Sequence, residues 1–367
     1  MFYEVALTQT HGIGNTLAKH LVSYCGSAEN VFKENKGKLM SIPNIGESIA
    51  EKIINHKDAF TKAEKILKKC EKEEVKILFY TFPDFPSRLK QLYDAPVLLY
   101  FKGNANLNAS KSISIVGTRQ STNYGKEITE NIVAALTPYN PLIVSGLAYG
   151  IDIIAHRAAL RYNLQTIGCM ASGMDTIYPA AHKKTAQTML VNGGLITEYP
   201  PGTKPDAPHF PERNRIIAAL SDLTIVVEAA AKGGALITAE FANGYGKDVM
   251  AVPGKLGDLY SEGCNNLIKK HKAHIYTNPK DIVELLNWDI QTDQKINKSA
   301  FKQIQLPMMS EKERIIFELL SKEQELMIDD ISWKSQISIN ETATILLNLE
   351  FMGIVKPLPG KRYRVGM

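Results

Sequence analysis

Ile113-Ser114-Ile115-Val116-Gly117-Thr118-Arg119 is a short apolar run that ends in a glycine turn with a hydroxyl group and a guanidinium group. Similar runs recur downstream, separated by stretches long enough for a helix, over residues 141–145, 164–169, 194–198, 223–228 and 248–252. They are continuously apolar, as in Leu223-Thr224-Ile225-Val226-Val227. Such runs are typical of parallel strands that helices cover on both faces. The sequence therefore predicts an α/β fold with an extended Rossmann-like parallel sheet domain.

The sequence on either side of this sheet has different patterns. The N-terminal part is rich in lysine and has helical periodicity, with two glycine turns, His11-Gly12-Ile13-Gly14 and Pro43-Asn44-Ile45-Gly46, that each precede an amphipathic run. The C-terminal part reads as three helices and a hairpin, which is the arrangement of a winged helix. We assign an N-terminal helical domain, the Rossmann-like domain, a polar linker and a winged-helix domain to residues 1–76, 77–286, 287–309 and 310–367.

Composition is ordinary for a soluble globular protein. The chain has 367 residues, 44% of them hydrophobic and 22% charged, which is enough for two or three domains. The net charge of +5 permits nucleic-acid binding without requiring it. Cys25, Cys70, Cys169 and Cys264 are too widely spaced for a zinc module, and we interpret them as reduced thiols of a cytoplasmic protein. We expect neither a signal peptide nor a membrane span.

Four loops combine bare glycine backbone with a hydroxyl group or a cation. Most of them lie where an apolar run gives way to a helix. Glycine lets backbone approach a ligand closely, and helix N-termini and guanidinium groups attract phosphate. The loops are Ser114–Arg119, Ser145–Asp152, Phe210–Ile217 and Lys232–Ala239. We predict that they bind an anionic chain along the carboxyl edge of the sheet.

The first two loops also have a structural interpretation. Gly117-Thr118-Arg119 is either an anion-binding turn or a tight strand–helix turn with an exposed arginine. The loop around Ser145, Gly146 and Gly150 repeats this geometry on the next predicted strand, so the two are expected to meet at a crevice. Asp152 and His156 lie one helical turn apart, and we interpret them as a structural hydrogen bond because no third metal ligand is apparent.

The third loop, which contains Phe210, carries the sharpest signal. An aromatic residue beside a proline is predicted to lie outside a helix and away from the core. Stacking of a base on this ring, with Arg213 and Arg215 on phosphates, is the usual way to bind a single strand. The alternative is that one of the two arginines pairs with Glu198 or Glu228 instead.

The fourth loop is interpreted as an anion-binding nest, with Lys232, Gly233 and Gly234 at a helix start and Thr238 one turn along. Lys183 either reaches the same groove or belongs to a solvated surface pair. The patterns GxxxxGK[ST], HExxH and GxSxG are absent. We therefore predict no catalytic residue, no metal ligand and no cofactor.

These motifs resemble those of the DNA-processing protein A family (DprA, also called Smf) over residues 77–285. The motifs are Ile115–Arg119, Ser145–Asp152 with His156, Gly173–Pro179, Phe210–Ala218, Gly234–Ala239 and Val252–Gly254. The resemblance implies an extended Rossmann domain that binds single-stranded DNA and forms a homodimer. It also implies a protein that protects incoming DNA during natural transformation, loads RecA recombinase onto it, and is not an enzyme.

The resemblance also implies which residues contact DNA. In the family these are the arginine of the first glycine turn, the phenylalanine and arginine of the Phe210 motif, and nearby lysines. The predicted DNA-binding residues are Gly117, Thr118, Arg119, Ser145, Gly146, Gly150, Lys183, Phe210, Arg213, Asn214, Arg215, Lys232, Gly233, Gly234 and Thr238. Thr118 and Gly233 stand where the family usually has serine, so Gly233 loses a hydroxyl group.

The flanking domains resemble family modules with open roles. The N-terminal glycine turns look like helix–hairpin–helix elements, which hold DNA phosphates or serve as structural and protein-contact modules. The candidate wing carries Lys361, Arg362 and Arg364, but the preceding helix, 340–352, is nearly uncharged. Two roles of the winged helix therefore stay open: recognition of a DNA groove and contact with another protein.

Two other functions fit part of the sequence. One is a Rossmann-type phosphoribohydrolase-like enzyme that processes nucleotides, with Glu228 as acid or base. The long chain and its flanking helical modules argue against it, since a small-molecule enzyme needs neither. The other is a scaffold that acts mainly through protein contacts.

Overall fold

The computed structural model describes residues 1–288, 310–323, 325–358 and 360–365. The chain divides into two compact units, Met1–Asp293 and Gln294–Met367. The larger unit contains the N-terminal helices and the predicted sheet, and the smaller unit contains the predicted winged helix. The separate N-terminal and Rossmann-like domains of the sequence-based assignment thus share one compact unit.

The larger unit begins with six helices. They are α1 (Phe2–Gln9), α2 (Asn15–Cys25), α3 (Ala28–Lys33), α4 (Lys36–Met40), α5 (Glu47–Ile54) and α6 (Lys57–Lys72). Each glycine turn leads into a helix, α2 or α5, with Gly14 or Gly46 as the N-cap. Gly12 and Asn44 adopt positive φ angles of 92° and 67°, the left-handed conformation that glycine and asparagine tolerate best.

The central sheet has nine strands. They are β1 (Lys76–Phe79), β2 (Leu98–Gly103), β3 (Ser112–Val116), β4 (Leu142–Ser145), β5 (Thr166–Cys169), β6 (Gly193–Thr197), β7 (Leu223–Val226), β8 (Asp248–Ala251) and β9 (His274–Ile275). Their order is β1-β2-β6-β5-β4-β3-β7-β8-β9, and β3 to β9 run parallel. Among the described strands of this sheet, only β2 runs in the opposite direction, and it pairs antiparallel with both β1 and β6. The predicted parallel α/β sheet is confirmed.

Helices cover both faces of this sheet. They are α7 (Ser87–Lys90), α8 (Asn123–Leu136), α9 (Ile151–Arg161), α10 (Lys183–Met189), α11 (His209–Ala219), α12 (Gly234–Gly244), α13 (Glu262–Lys269) and α14 (Pro279–Leu285). Ile113 and Ile115 of β3 enter the core on one face, whereas Val116 enters the core on the other. Every residue of β3 to β7 is buried, which explains the continuous apolar runs.

The strand order reverses at β3. The stretch β5-β4-β3-β7-β8-β9 has the order of a Rossmann sheet, and β6, β2 and β1 extend it beyond β5. Because the chain continues from β3 and β7 in opposite directions across the sheet, their carboxyl ends leave a crevice between them. Ligands of open α/β sheets bind at such a switch point.

The N-terminal helices are joined to the sheet by polar contacts as well as a shared core. Asn15 at the start of α2 accepts a hydrogen bond from the backbone N–H of Val97 at 3.1 Å. Lys19 donates to the carbonyl of Leu92 at 3.3 Å. At the other end, Trp288 is buried against Tyr139, with ring centres 6.1 Å apart. The rest of the predicted linker, 289–309, lies outside the described residues.

The smaller unit is a winged helix. Its elements are α15 (Glu311–Glu323), β10 (Leu326–Met327), α16 (Ile328–Ser335), α17 (Ile339–Phe351), β11 (Val355–Leu358) and β12 (Arg362–Val365), with strand order β10-β12-β11. Three helices and a hairpin confirm the predicted fold. Two large apolar side chains of α17 are exposed: Leu347 is 50% exposed and Phe351 is 82% exposed.

The small core of the winged helix leads to a prediction about Leu346, which is fully buried there. Leu346→Ala should lower the free energy of unfolding of this unit by about 2–5 kcal/mol, since it leaves a cavity. The exposed neighbour Leu347 is the matched control, and Leu347→Ala should change little. Scanning calorimetry of the full chain should show a shifted transition for the small unit alone. An equal shift for the larger unit would contradict the division into two units.

Candidate nucleic-acid interface

A cavity of about 740 Å³ opens at the carboxyl ends of β3 and β7, at the switch point of the sheet. The N-termini of α11 and α12 both meet it, through Phe210 and Pro211 on one side and Gly233 to Ala235 on the other. The first N–H groups of α12 have no acceptor within the helix, whereas at α11 those of His209 and Phe210 donate to the carbonyls of Asp206 and Ala207. The dipole of each helix is positive at the end that meets the cavity. The cavity is therefore suited to an anion.

The structure brings most of the predicted binding residues together. Those that line the cavity are Gly117, Thr118, Arg119, Phe210, Arg213, Asn214, Lys232, Gly233, Gly234 and Thr238. They come from the loop after β3, the loop after β7 and the first turns of α11 and α12. Ser145, Gly146, Gly150, Lys183 and Arg215 do not line it.

Arg119 and two aromatic rings form one wall of the cavity. The guanidinium carbon of Arg119 lies 5.4 Å from the ring centre of Phe210, within the range of a cation–π contact. The ring of Phe210 meets that of Tyr178 edge to face, with centres 5.5 Å apart. Arg119 and Tyr178 are exposed, and Phe210 is half-buried. A flat ligand and a phosphate can therefore reach this wall together.

The prediction that Phe210 lies outside a helix was wrong. The helix α11 begins at His209, so both Phe210 and Pro211 belong to its first turn. A proline is tolerated there because the N–H groups of the first turn have no acceptor within the helix. The ring still faces the cavity, which α11 lines from Phe210 to Ile217.

Arg213 forms the floor of the cavity. Its side chain is only 4% exposed, and its guanidinium donates to the carbonyls of Gly146 and Cys169. Asp152 lies alongside it and is also buried. Burial lowers the pKa of Arg213 and raises that of Asp152, and in each case the opposite charge of the other counteracts the shift. The two groups form a charged pair beneath the ligand space.

Arg215 points away from the cavity. It forms an ion pair with Glu198 and donates to the carbonyl of Asp94 at 2.7 Å. The alternative in which one of the two arginines pairs with Glu198 is therefore confirmed, and Arg215 is that arginine. Positions two apart on a helix face different directions, which is why Arg213 reaches the sheet edge and Arg215 does not.

The second glycine loop, Ser145–Asp152, packs against the first, Ser114–Arg119. Ser145 is fully buried and donates to the carbonyl of Ile115 at 2.6 Å. At Gly150, whose φ is 74°, a Cβ atom would lie 2.1 Å from the carbonyl oxygen of Thr118. The two loops therefore pack together tightly, and the crevice opens between β3 and β7 instead of between β3 and β4. Lys183 is exposed at the start of α10.

Asp152 and His156 do not contact each other as expected. The Nδ1 atom of His156 lies 2.7 Å from the hydroxyl of Thr166, which itself donates to the carbonyl of Ile143 at 2.9 Å. The imidazole therefore carries its proton on Nδ1, and the buried Nε2 atom has no partner. Over the described ranges, no three His, Cys, Asp or Glu side chains are grouped so as to hold a metal.

Six cavity residues lie outside the four loops that the sequence analysis predicted. They are Tyr178, Pro205, Ala207, Ala229, Ala230 and Tyr260. Tyr178 had a usable signal, because it precedes a proline within the Gly173–Pro179 motif, just as Phe210 precedes one. Pro205 and Ala207 had none.

The buried His156 leads to a prediction about acid stability. Burial lowers its pKa to about 3, from about 6.5 in an unfolded chain. Between these values the unfolded state binds a proton that the folded state does not, so stability falls as pH decreases below about 6.5. Between pH 6 and pH 5 the free energy of unfolding should therefore fall by about 1 kcal/mol more in the wild type than in His156→Asn. Urea unfolding at both pH values measures this difference; parallel losses would contradict it.

Three family profiles match the sequence, one for each predicted domain. Residues 76–287 match the family described as DNA recombination-mediator protein A. Residues 4–56 match a SAM-like helix-hairpin-helix tandem, and residues 305–361 match the DprA winged helix domain.

Curated relatives show the same family. The Protein Smf of Synechocystis is 31% identical over 391 residues, a match that covers 99% of this chain and 98% of that protein. The DNA processing protein DprA of Streptococcus pneumoniae is 41% identical over 213 residues, covering 56% of this chain and 74% of that protein.

Two solved structures are similar to the larger part of the chain. The X-ray structure of DNA processing protein A from S. pneumoniae has a TM-score of 0.67 at 32% identity, covering 77% of this chain and 97% of that one. A structure of DNA processing protein A from Helicobacter pylori, described for its single-stranded DNA binding mode, has a TM-score of 0.54 at 32% identity. That match covers 59% of this chain and 97% of that one.

Proposed function

The chain belongs to the DNA recombination-mediator protein A family, and from this premise we propose that it binds single-stranded DNA in the cavity between β3 and β7. The observation that carries this proposal is the wall formed by Arg119, Phe210 and Tyr178. Stacking on aromatic rings combined with cationic contacts to phosphates is how proteins bind single strands without regard to sequence.

The opposite wall supplies the phosphate contacts in this proposal. Gly233 and Gly234 expose backbone at the N-terminus of α12, and the exposed Lys232 precedes them. Arg213 adds positive charge from below, although its own hydrogen bonds are made within the protein. A base held against Phe210 would thus have its phosphate in a cavity that the N-termini of α11 and α12 line together with three side-chain cations, Arg119, Arg213 and Lys232.

We further propose that the chain protects incoming DNA and loads RecA recombinase onto it, and that it acts as a homodimer in the cytoplasm. Family membership supports this role. In the described part of the chain, no helix has the length and apolar character to cross a membrane. Light scattering that returned the mass of one chain would contradict the homodimer.

We also propose that the chain is not a phosphoribohydrolase-like enzyme. Glu228, the acid or base of that alternative, is only 4% exposed. Its carboxylate accepts hydrogen bonds from the hydroxyl and the backbone N–H of Thr122, at 2.5 and 3.0 Å. It lines a neighbouring cavity instead of the one with the glycines of α12. Release of base from nucleoside monophosphates would contradict this view.

The binding proposal predicts the effects of two substitutions. Arg119→Ala should weaken binding of any single-stranded sequence about tenfold. Because one phosphate contact is lost, the slope of the logarithm of the binding constant against the logarithm of the salt concentration should become shallower by about 0.7. Phe210→Ala should weaken binding by a similar factor through lost stacking, with the salt dependence unchanged. Fluorescence anisotropy across a salt series measures both quantities.

The matched control is Arg161→Ala, which removes an exposed arginine of α9 that pairs with Glu130 at 3.6 Å. It should leave the affinity within about twofold, since only the general charge changes. Unchanged affinity in both cavity variants would contradict the assigned site. An equal loss of affinity in the control variant would contradict it as well.

The proposed RecA role leads to a separate prediction. RecA filaments should form faster on single-stranded DNA in the presence of this chain than in its absence. Phe210→Ala should lose this acceleration, because loading requires the chain to hold the strand. Time courses of RecA assembly on labelled DNA measure the effect. Equal assembly with and without the chain would refute the RecA role while leaving the DNA site intact.

A further inference from the structure

The loop between β6 and α11 connects the cavity to the N-terminal helices. At one end of this loop, Pro205 and Ala207 line the cavity. At the other end, Gly202 lies against α6, where a Cβ atom on Gly202 would be 3.1 Å from the Nζ atom of Lys69. Between them, Lys204 is exposed. The surface that leaves the cavity at Pro205 therefore leads directly to α6.

Charges on α6 are separated along its exposed surface. The lysine stripe consists of Lys62, Lys65, Lys69 and Lys72, all exposed. With 3.6 residues per turn, these positions fall within about 80° of one another around the helix axis. Glu64 and Glu71 lie on the far side of the exposed surface. Asp58 at the first turn and Glu73 at the C-cap are the acidic residues beside the stripe.

The four ammonium groups of the lysine stripe are not neutralised by ion pairs. Within the described ranges, no carboxylate is ion-paired with any of its four ammonium groups. Like charges three or four positions apart on a helix destabilise it by about 0.2–0.5 kcal/mol for each pair. An arrangement that is unfavourable for the free chain and continuous with the cavity fits an external polyanion.

We propose that the lysine stripe of α6 binds the phosphates of the single strand after it leaves the cavity. The strand passes Pro205 and Ala207, crosses the loop at Lys204, and continues along Lys69, Lys65 and Lys62. From position 69 to position 62 the helix rises about 10 Å, which adds several phosphate contacts. This inference rests on the proposed function, and it assigns to the N-terminal helical part a role in setting the length of DNA bound.

The test uses the full chain and two oligothymidines, one of about 6 nucleotides and one of about 20. Lys65→Gln/Lys69→Gln should bind the short strand as wild type does. It should bind the long strand about tenfold more weakly at low salt. The slope of the logarithm of the binding constant against the logarithm of the salt concentration should become shallower by about 1.4, because two phosphate contacts are lost.

The control is Lys57→Gln/Lys68→Gln, which removes two exposed lysines from the same helix about a quarter turn away. This control should keep most of the affinity for the long strand. Three outcomes would each contradict the proposed role of the lysine stripe. They are an equal loss of affinity in the two double variants, an equal loss of affinity for short and long strands, and unchanged affinity for the long strand. Matching thermal unfolding midpoints show that both variants are folded.

Arg119→Ala separates this inference from the proposed site. If the cavity is not the site, Arg119→Ala binds the short strand as wild type does, whatever the lysine variants show. If only the lysine stripe is wrong, Arg119→Ala loses short-strand affinity while Lys65→Gln/Lys69→Gln keeps its affinity for the long strand.

Discussion

The cavity depends on one buried guanidinium. Arg213 comes from α11, yet its hydrogen bonds go to the loop after β4 and to the end of β5, and it lies beside Asp152 of α9. Removing one partner of a buried charge pair commonly costs 3–5 kcal/mol, because the other charge is left without compensation. The same contact that fixes the floor of the cavity therefore also joins four elements of the sheet edge.

The strands can be predicted from the sequence because each of them is marked by a local run of apolar residues. The strand β3 is buried on both faces, so Ile113, Ile115 and Val116 are all apolar although they enter two different cores. The neighbour relations of the strands are not local. The glycine loops after β3 and β4 follow each other along the chain, but the cavity opens on the side of β7, which joins β3 from more than a hundred residues away.

The roles of individual site residues were harder to predict for the same reason. Arg213 and Arg215 are indistinguishable by residue type, and the direction in which α11 faces the sheet decides which one lies beneath the ligand. Arg119, Phe210 and the glycines of α12 needed no such knowledge, because the start of a helix that follows a parallel strand lies at the carboxyl edge. Ser145 does not line the cavity, and its hydroxyl donates to the carbonyl of Ile115 in the neighbouring strand β3.

The first glycine turn is held on both sides. The N–H of Thr118 donates to the carbonyl of Glu228 at 2.7 Å, and its carbonyl accepts from the N–H of Ile151 at 3.2 Å. This peptide segment is thus clamped in its final shape by the two adjoining loops. Binding of a ligand at this corner would therefore cost little conformational entropy, because the segment is already ordered without it.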